Sequence, residues 1–192
     1  MILGSHNSWS YNKPKKWWMK LIAFTARCQN IDIKTQYELG VRCFDLRIRF
    51  DKDCNTVFAH GIIEYNIDAD KVYDDLKWLD NKGDCYVRVI HEARNRPQYS
   101  NESISNFQYT CKELQCSFTN IKFWCGKSIY NWEHNDYEFD YQPSCEEKYA
   151  SVCAPKLIDD WYPRWFAKHH NKEIKEEGTE KDILLIDFVN IG

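Results

Sequence analysis

The 192-residue chain has no CxxC pair, no run of 18 apolar residues, and no GxGxxG or GxxxxGK[ST] loop. The first absence argues against the common zinc and dithiol motifs, and the second against a membrane-spanning helix. The third argues against a dinucleotide or P-loop site in which glycine backbone grips phosphate. Glycine and proline are sparse, at 7 and 5, so no linker divides the chain. Cationic excess is missing too: 26 Lys and Arg stand against 29 Asp and Glu. A net charge of -3 is not the footprint of a nucleic-acid-binding protein. Nine cysteines, an odd number lying partly in apolar runs, favour reduced buried thiols over a disulfide framework. The opening MILGSHNSWSY is too short in its apolar part for a signal segment. The expected location is cytoplasmic or membrane-peripheral.

What the chain does have is core material. Hydrophobic residues make up 43% and aromatics 16%, with 8 Trp, enough for one compact domain over residues 1–192. Short apolar runs of strand length fall at 2–6, 42–50, 56–60, 85–91, 121–125, 128–132 and 183–189, with a weaker one at 137–141. Between them lie helical patterns. One covers 14–27 with Pro14 at its first turn, and another covers 33–39 with Asp32 as N-cap and Gly40 as stop. Residues 70–81 and 102–116 repeat apolar positions at the helical period, and Ser144 with Glu147 forms a capping box. Alternating strands and helices imply an α/β fold with a mostly parallel sheet. Eight or so strands favour a barrel, shortened against the usual ~250 residues. A doubly wound open sheet is the alternative.

The strand at 42–50 places Phe44, Leu46, Ile48 and Phe50 on one face and Cys43, Asp45, Arg47 and Arg49 on the other. An acid and two bases on the inner face of a central parallel strand demand partners, because an unpaired buried ion costs several kcal/mol. The other possibility is an edge strand with a solvated face. His6 and His60 each end a strand, where barrels collect catalytic groups. Two imidazoles titrating near neutrality can act as general base and general acid in one reaction. Closing a barrel brings the last strand beside the first, so Asp187 is placed to orient His6.

The blocks GSHNSWSY, QYELGVRCFDLRIRF, FAHGIIEY and ILLIDFVN, spread from Ile2 to Asn190, resemble the phosphatidylinositol-specific phospholipase C family. The resemblance implies a distorted, partly open TIM-type barrel. It also implies cleavage of a phosphodiester by the head group's own hydroxyl, giving diacylglycerol and a cyclic phosphate. By the same resemblance His6 is the general base, His60 the general acid and Asp187 the carboxylate behind His6. Arg47 matches the position where metal-independent bacterial members carry an arginine, so no cofactor is expected, and Asp45 holds Arg47. Asn7 departs from that pattern, being the residue type that calcium-dependent members use as a ligand. A Ca- or Mg-dependent glycerophosphodiesterase using Asn7, Asp45 and Glu92 is therefore the rival enzyme, and an idle lipid- or phosphate-binding module the rival of another class. Arg88 and Glu92 are candidate substrate-binding residues, expected to pair with each other; the family's lysine position falls at Ile90 or at His91.

One segment bears on partners. Lys13, Lys15, Lys16 and Lys20 surround Trp17 and Trp18 just after the first strand. Lysine and tryptophan together suit an anionic membrane surface. Packing of a tryptophan against the core is the other reading. The expected substrate is a lipid or soluble phosphodiester, with peripheral membrane contact and no nucleic acid.

Overall fold

A computed structural model describes residues 1–92, 100–127, 149–152, 162–178 and 183–192. Fourteen elements follow in chain order: β1 Ile2–Ser5, α1 Met19–Ile22, a 3-10 turn at Ala23–Thr25, α2 Ile33–Glu38, β2 Cys43–Phe50, β3 Thr56–His60, β4 Ile63–Glu64, α3 Ala69–Asp80, β5 Tyr86–His91, α4 Asn101–Ser117, β6 Lys122–Lys127, β7 Tyr149–Val152, α5 Pro163–Glu177 and β8 Ile183–Ile186. The expected runs at 128–132 and 137–141 and the capping box at 144–147 lie outside the described residues. So do residues 93–99.

Six strands form a parallel array in the order β6-β5-β2-β1-β8-β7. Going round from β1, that is the chain order of a barrel. The sheet is open, however, and among the described residues β6 and β7 are not paired. Among the described residues the architecture is thus a mixed α/β fold with an eight-stranded open sheet. Two strands break the parallel rule. β3 runs antiparallel to the tail of β2, pairing Ile48 with Phe58 and Phe50 with Thr56, and β4 folds back on β3. The reason was present in the spacing: residues 51–55 are too few for a crossover, which takes a dozen or more. Asp51 accepts hydrogen bonds from the backbone of Asp53 and Asn55, and Cys54 takes a left-handed φ of 60°, closing a tight hairpin.

Strand alternation sorts the side chains into two compartments. Phe44, Leu46 and Ile48 face out and pack with Val72, Leu76 and Leu79 of α3 and Phe107 and Cys111 of α4 in the main core. Inside the curve, the amino end of the strands is apolar, with Cys43, Ile183 and Leu185 against Ile2 and Tyr86. The charged residues lie beyond this plug, towards the carboxyl end. Gly4 is where β1 approaches its neighbours most closely: a Cβ there would collide with the Leu185 side chain and sit 3.1 Å from Cys43 Cβ.

The helices show what local sequence decides. Asp32 accepts from the Thr35 backbone at 2.8 Å, the expected N-cap of α2, and Gly40 follows with φ 94°. The single helix expected over 14–27 is not there. Residues 13–15 are drawn out against 64–66 instead, with Lys15 N–H donating to Glu64 and Asn66 N–H to Lys13, which leaves only Met19–Ile22 and the 3-10 turn as helix. The helix at α5, with Pro163 in its first turn, and strand β7 were not anticipated. No described helix is long and apolar enough to cross a membrane.

The close approach at Gly4 predicts that Gly4→Val destabilises the chain by about 1–3 kcal/mol through overpacking. A lowered urea midpoint with unchanged slope would bear this out.

Candidate active site

The site is assembled where β1, β2, β5 and β8 end and β3 returns. Both β1 and β8 leave the sheet by a sharp turn whose first residue has a left-handed backbone: Asn7 at φ 43° follows His6, and Phe188 at φ 45° follows Asp187. Asparagine tolerates that conformation; phenylalanine does so only under constraint from its surroundings. Here the Phe188 N–H donates to the Cys28 carbonyl at 2.6 Å. Gln29 ties the two strand ends together, its Nε2 donating to the carbonyls of His6 and Ile186 and its Oε1 accepting from Val189 N–H. His6 and Asp187 are thereby held face to face.

Their contact is a hydrogen bond of 2.7 Å from His6 Nδ1 to Asp187 Oδ1. On the other side of the ring, Arg47 Nη2 lies 2.9 Å from His6 Nε2. A guanidinium only donates, so Nε2 accepts and the proton sits on Nδ1, pointing at Asp187. The buried imidazole is thus in the tautomer whose Nε2 lone pair faces the pocket. Arg47 makes two further bonds of 2.8 Å each, from Nε to Asp45 Oδ2 and from Nη1 to Glu92 Oε2. Asp45 also accepts from Asn7 N–H, and Glu92 from Gly61 N–H. Arg88 lies deeper, its Nε 3.5 Å from Asp45 Oδ1. The expected Arg88–Glu92 partnership is therefore corrected: Glu92 serves Arg47, and Arg88 stands against Asp45. On β5, His91 faces outward, stacked on Phe107, while Ile90 pairs with Arg47 across the sheet.

His60 completes the group. Its ring meets that of His6 edge-on with centroids 5.2 Å apart. His60 Nδ1 is 2.9 Å from the Ala26 carbonyl, so that nitrogen carries the proton. The same carbonyl accepts from the Tyr65 hydroxyl, which lies 3.5 Å from Asn7 Nδ2. Cys28 Sγ sits 3.6 Å from His60 Nδ1. His60 reaches this place by the antiparallel return of β3, and not as the carboxyl end of a parallel strand as its position in the sequence suggested.

Electrostatics acts strongly on His60. Burial, with Arg47 second, pushes His60 from the ordinary 6.5 down to about 4. Burial works in the opposite sense on Asp45 and Glu92, yet the neighbouring cations outweigh it and hold both carboxyls below their usual range. Arg47 is correspondingly locked in its charged form by Asp45 and Glu92 against the effect of burial.

Asn7, Asp45, Arg47, Glu92, His6, His60 and Asp187 are thus joined in one cluster of hydrogen bonds and ring contact. Lys15, Lys16, Trp17 and Trp18 do not enter it; they are exposed on the neighbouring segment. Cys28, Tyr65 and Gln29 are additions that sequence reasoning missed, since no motif or spacing ties them to the histidines. The class defined by fold and geometry is an α/β sheet that gathers two histidines, an arginine and three carboxylates near the carboxyl ends of its parallel strands.

Comparison with known proteins gives that class a fold relative. No protein-family model and no curated protein matches the sequence. Among solved structures, the phosphatidylinositol-specific phospholipase C of Listeria monocytogenes superposes with a TM-score of 0.67 at 17% identity, covering 97% of this chain and 87% of that one. A double mutant of the Staphylococcus aureus phosphatidylinositol-specific phospholipase C gives 0.62 at 17%, covering 97% and 84%. The chain shares the fold of these bacterial enzymes over nearly its whole length.

The depressed pKa values make stability fall on the acid side. Between pH 6.5 and about 4 the unfolded chain binds a proton that native His60 refuses, so stability declines as pH drops. Below that range Asp45 and Glu92 add to the loss in the same sense. His60→Gln is expected to flatten the pH 4–6.5 part of the urea-midpoint profile while leaving the steeper fall below it. A native imidazole resonance titrating near pH 4, absent in that variant, would identify the group by NMR.

Proposed function

We propose that the chain cleaves phosphodiesters in the manner of a phosphatidylinositol-specific phospholipase C, with a lipid or soluble phosphodiester as substrate and no metal cofactor. The observation that carries this reading is the His6 ring held between Asp187 on Nδ1 and Arg47 on Nε2, with His60 against its edge. In the proposed step a substrate hydroxyl gives its proton to His6 Nε2 while its oxygen attacks phosphorus. The bond from phosphorus to the leaving oxygen breaks, and His60 delivers a proton to that oxygen. The products are an alcohol, diacylglycerol for a lipid, and a cyclic phosphodiester. Asp187 stabilises the imidazolium on His6, and Arg47 turns from Nε2 to the phosphoryl oxygens, where charge develops. The anionic phosphate raises His60 from its low resting value, charging the acid only when substrate is present.

The metal-dependent rival requires Asn7, Asp45 and Glu92 as ligands. Asp45 and Glu92 are already committed to the Arg47 guanidinium, which supplies the fixed positive charge a cation would bring. This supports the metal-free reading.

Exposure of the segment after β1 supports a peripheral membrane contact. Trp17 is 75% exposed and Leu21 70%, with Trp18 and Phe24 beside them and Lys15, Lys16 and Lys20 around them, while Met19 and Ala23 anchor the segment inward. An apolar patch ringed by lysines suits an anionic bilayer. It lies next in the chain to Ala26, whose carbonyl holds His60. One S. aureus structure in the comparison concerns membrane binding of that enzyme.

Two outcomes are expected. In excess EDTA the chain turns over an inositol phosphodiester, and His6→Gln, Arg47→Lys and Asp187→Asn each lower kcat by roughly 10²–10⁴-fold with circular dichroism unchanged; loss of turnover in EDTA with recovery on calcium or magnesium would favour the rival. Trp17→Ala/Trp18→Ala lowers partitioning onto phosphatidylglycerol vesicles by about tenfold or more, read by sedimentation.

A further inference from the structure

The pocket contains a group that the proposed acid–base chemistry does not use. Cys28, buried after the 3-10 turn, points its Sγ to within 3.6 Å of His60 Nδ1. One ligand atom from each of His6, Cys28 and His60 lies within 4.8 Å of the others. The three come from the end of β1, the segment after the 3-10 turn and the end of β3, which is why no spacing motif in the sequence marks them.

We propose that His6, Cys28 and His60 form a binding site for a borderline-soft divalent cation of the zinc class, and that the bound ion switches the pocket off. The binding stands on the donor set alone; the switching rests on the function proposed above, since it consists in occupying the two histidines which that reaction needs.

The donor chemistry selects the ion. One thiolate and two imidazoles suit zinc or copper and are poor ligands for calcium or magnesium, which take oxygen. The spacing is right as well. Metal bonds of about 2.0–2.3 Å in a tetrahedron separate donors by about 3.3–3.8 Å, so a sulfur–nitrogen distance of 3.6 Å needs little change and the 4.8 Å limit only a small side-chain shift. Asp187 already holds His6 by Nδ1, leaving Nε2 to face the ion with a carboxylate behind the ring, the arrangement that orients metal-binding histidines.

The charge balance also admits a dication. Asp45, Glu92 and Asp187 against Arg47 and Arg88 leave the pocket one negative charge, and the Cys28 thiolate makes two. The ion takes the place of Arg47 Nη2 at His6 Nε2, and Arg47 keeps its bonds to Asp45 and Glu92. In the binding step the S–H bond of Cys28 breaks and its proton leaves to solvent, the His60 proton passes by way of solvent from Nδ1 to Nε2 as the bond to the Ala26 carbonyl is given up, and sulfur and two nitrogens each donate a pair to the metal, with water in the fourth position. Nothing is oxidised or reduced. Such a site differs in kind from a calcium- or magnesium-dependent centre: it inhibits, and it excludes hard cations.

The test uses the full reduced chain without an affinity tag. Zinc titration by calorimetry is expected to give one site, weakened tenfold or more by Cys28→Ser and by His60→Gln. Cobalt(II) is expected to give a thiolate charge-transfer absorption that Cys28→Ser removes. Equal zinc affinity in the unmodified and Cys28→Ser chains, or a cobalt spectrum without the thiolate band, would overturn the proposal. Should Cys28→Ser fail to fold, His60→Gln decides: loss of the band supports the site and its persistence overturns it. With an inositol phosphodiester as substrate, inhibition by zinc at the concentration that fills the site supports the switch, while full turnover by the zinc-saturated chain overturns it. If the metal-free chain shows no turnover at all, the proposed function fails and the calorimetry still decides the binding.

Discussion

A buried guanidinium needs anions around it, and in this protein the Arg47 fork finds one on its own strand and one on the next. Nε reaches Asp45 on β2, Nη1 reaches Glu92 just beyond β5, and Nη2 is left for His6 beyond β1. Removing Asp45 or Glu92 would leave the buried guanidinium short of a counter-charge that no solvent replaces, at a cost of about 3–5 kcal/mol. The three parallel strands are therefore fixed relative to one another by a charged junction and not by apolar packing alone. That junction also fixes chemistry. With a cation that only donates on Nε2 and a carboxylate on Nδ1, His6 has a single tautomer, and its lone pair faces the pocket.

The second histidine depends on a different device. The hairpin β3–β4 turns back along the tail of β2 and carries His60 to the edge of His6. The segment from Ala26 to Gln29 then serves both halves of the site. Ala26 orients His60 through its carbonyl, and Gln29 staples the ends of β1 and β8, so that two histidines far apart in sequence share one short support. Two left-handed residues, Asn7 and Phe188, mark where the strands are bent to make room for the pocket. Strain of that kind is held in place only by surroundings that over-determine it, and here those are the bonds from Asn7 N–H to Asp45 and from Phe188 N–H to Cys28.

Period-2 alternation along residues 42–50 told which side chains of β2 face inward, and hence that Asp45 and Arg47 needed partners. The barrel order of the alternating elements, which sets the last strand beside the first, put His6 and Asp187 on adjacent strand ends. The Asp32 cap and the two long helices on the sheet's outer face were legible from local chemistry. What escaped was tertiary. The direction of β3 was hidden by the habit of reading alternating elements as parallel, although a five-residue gap permits only a hairpin. Pairing of residues 13–15 with 64–66 overrode the helical pattern expected at 14–27. Glu92 was assigned to Arg88 because both share a face of β5, yet the competition for it was won by Arg47, one strand away. Cys28 carried no signal, since nothing in the sequence reveals which loop lies beside a histidine.

The central claim is that a substrate hydroxyl, activated by His6, attacks phosphorus within the same molecule. The most direct measurement is phosphorus NMR of an inositol phospholipid dispersed in detergent with the chain in EDTA, followed from the first turnover. Early appearance of a five-membered cyclic phosphodiester resonance, together with diacylglycerol, is the predicted result. An acyclic monoester formed from the start with no cyclic precursor, or an unchanged lipid spectrum, would contradict the account.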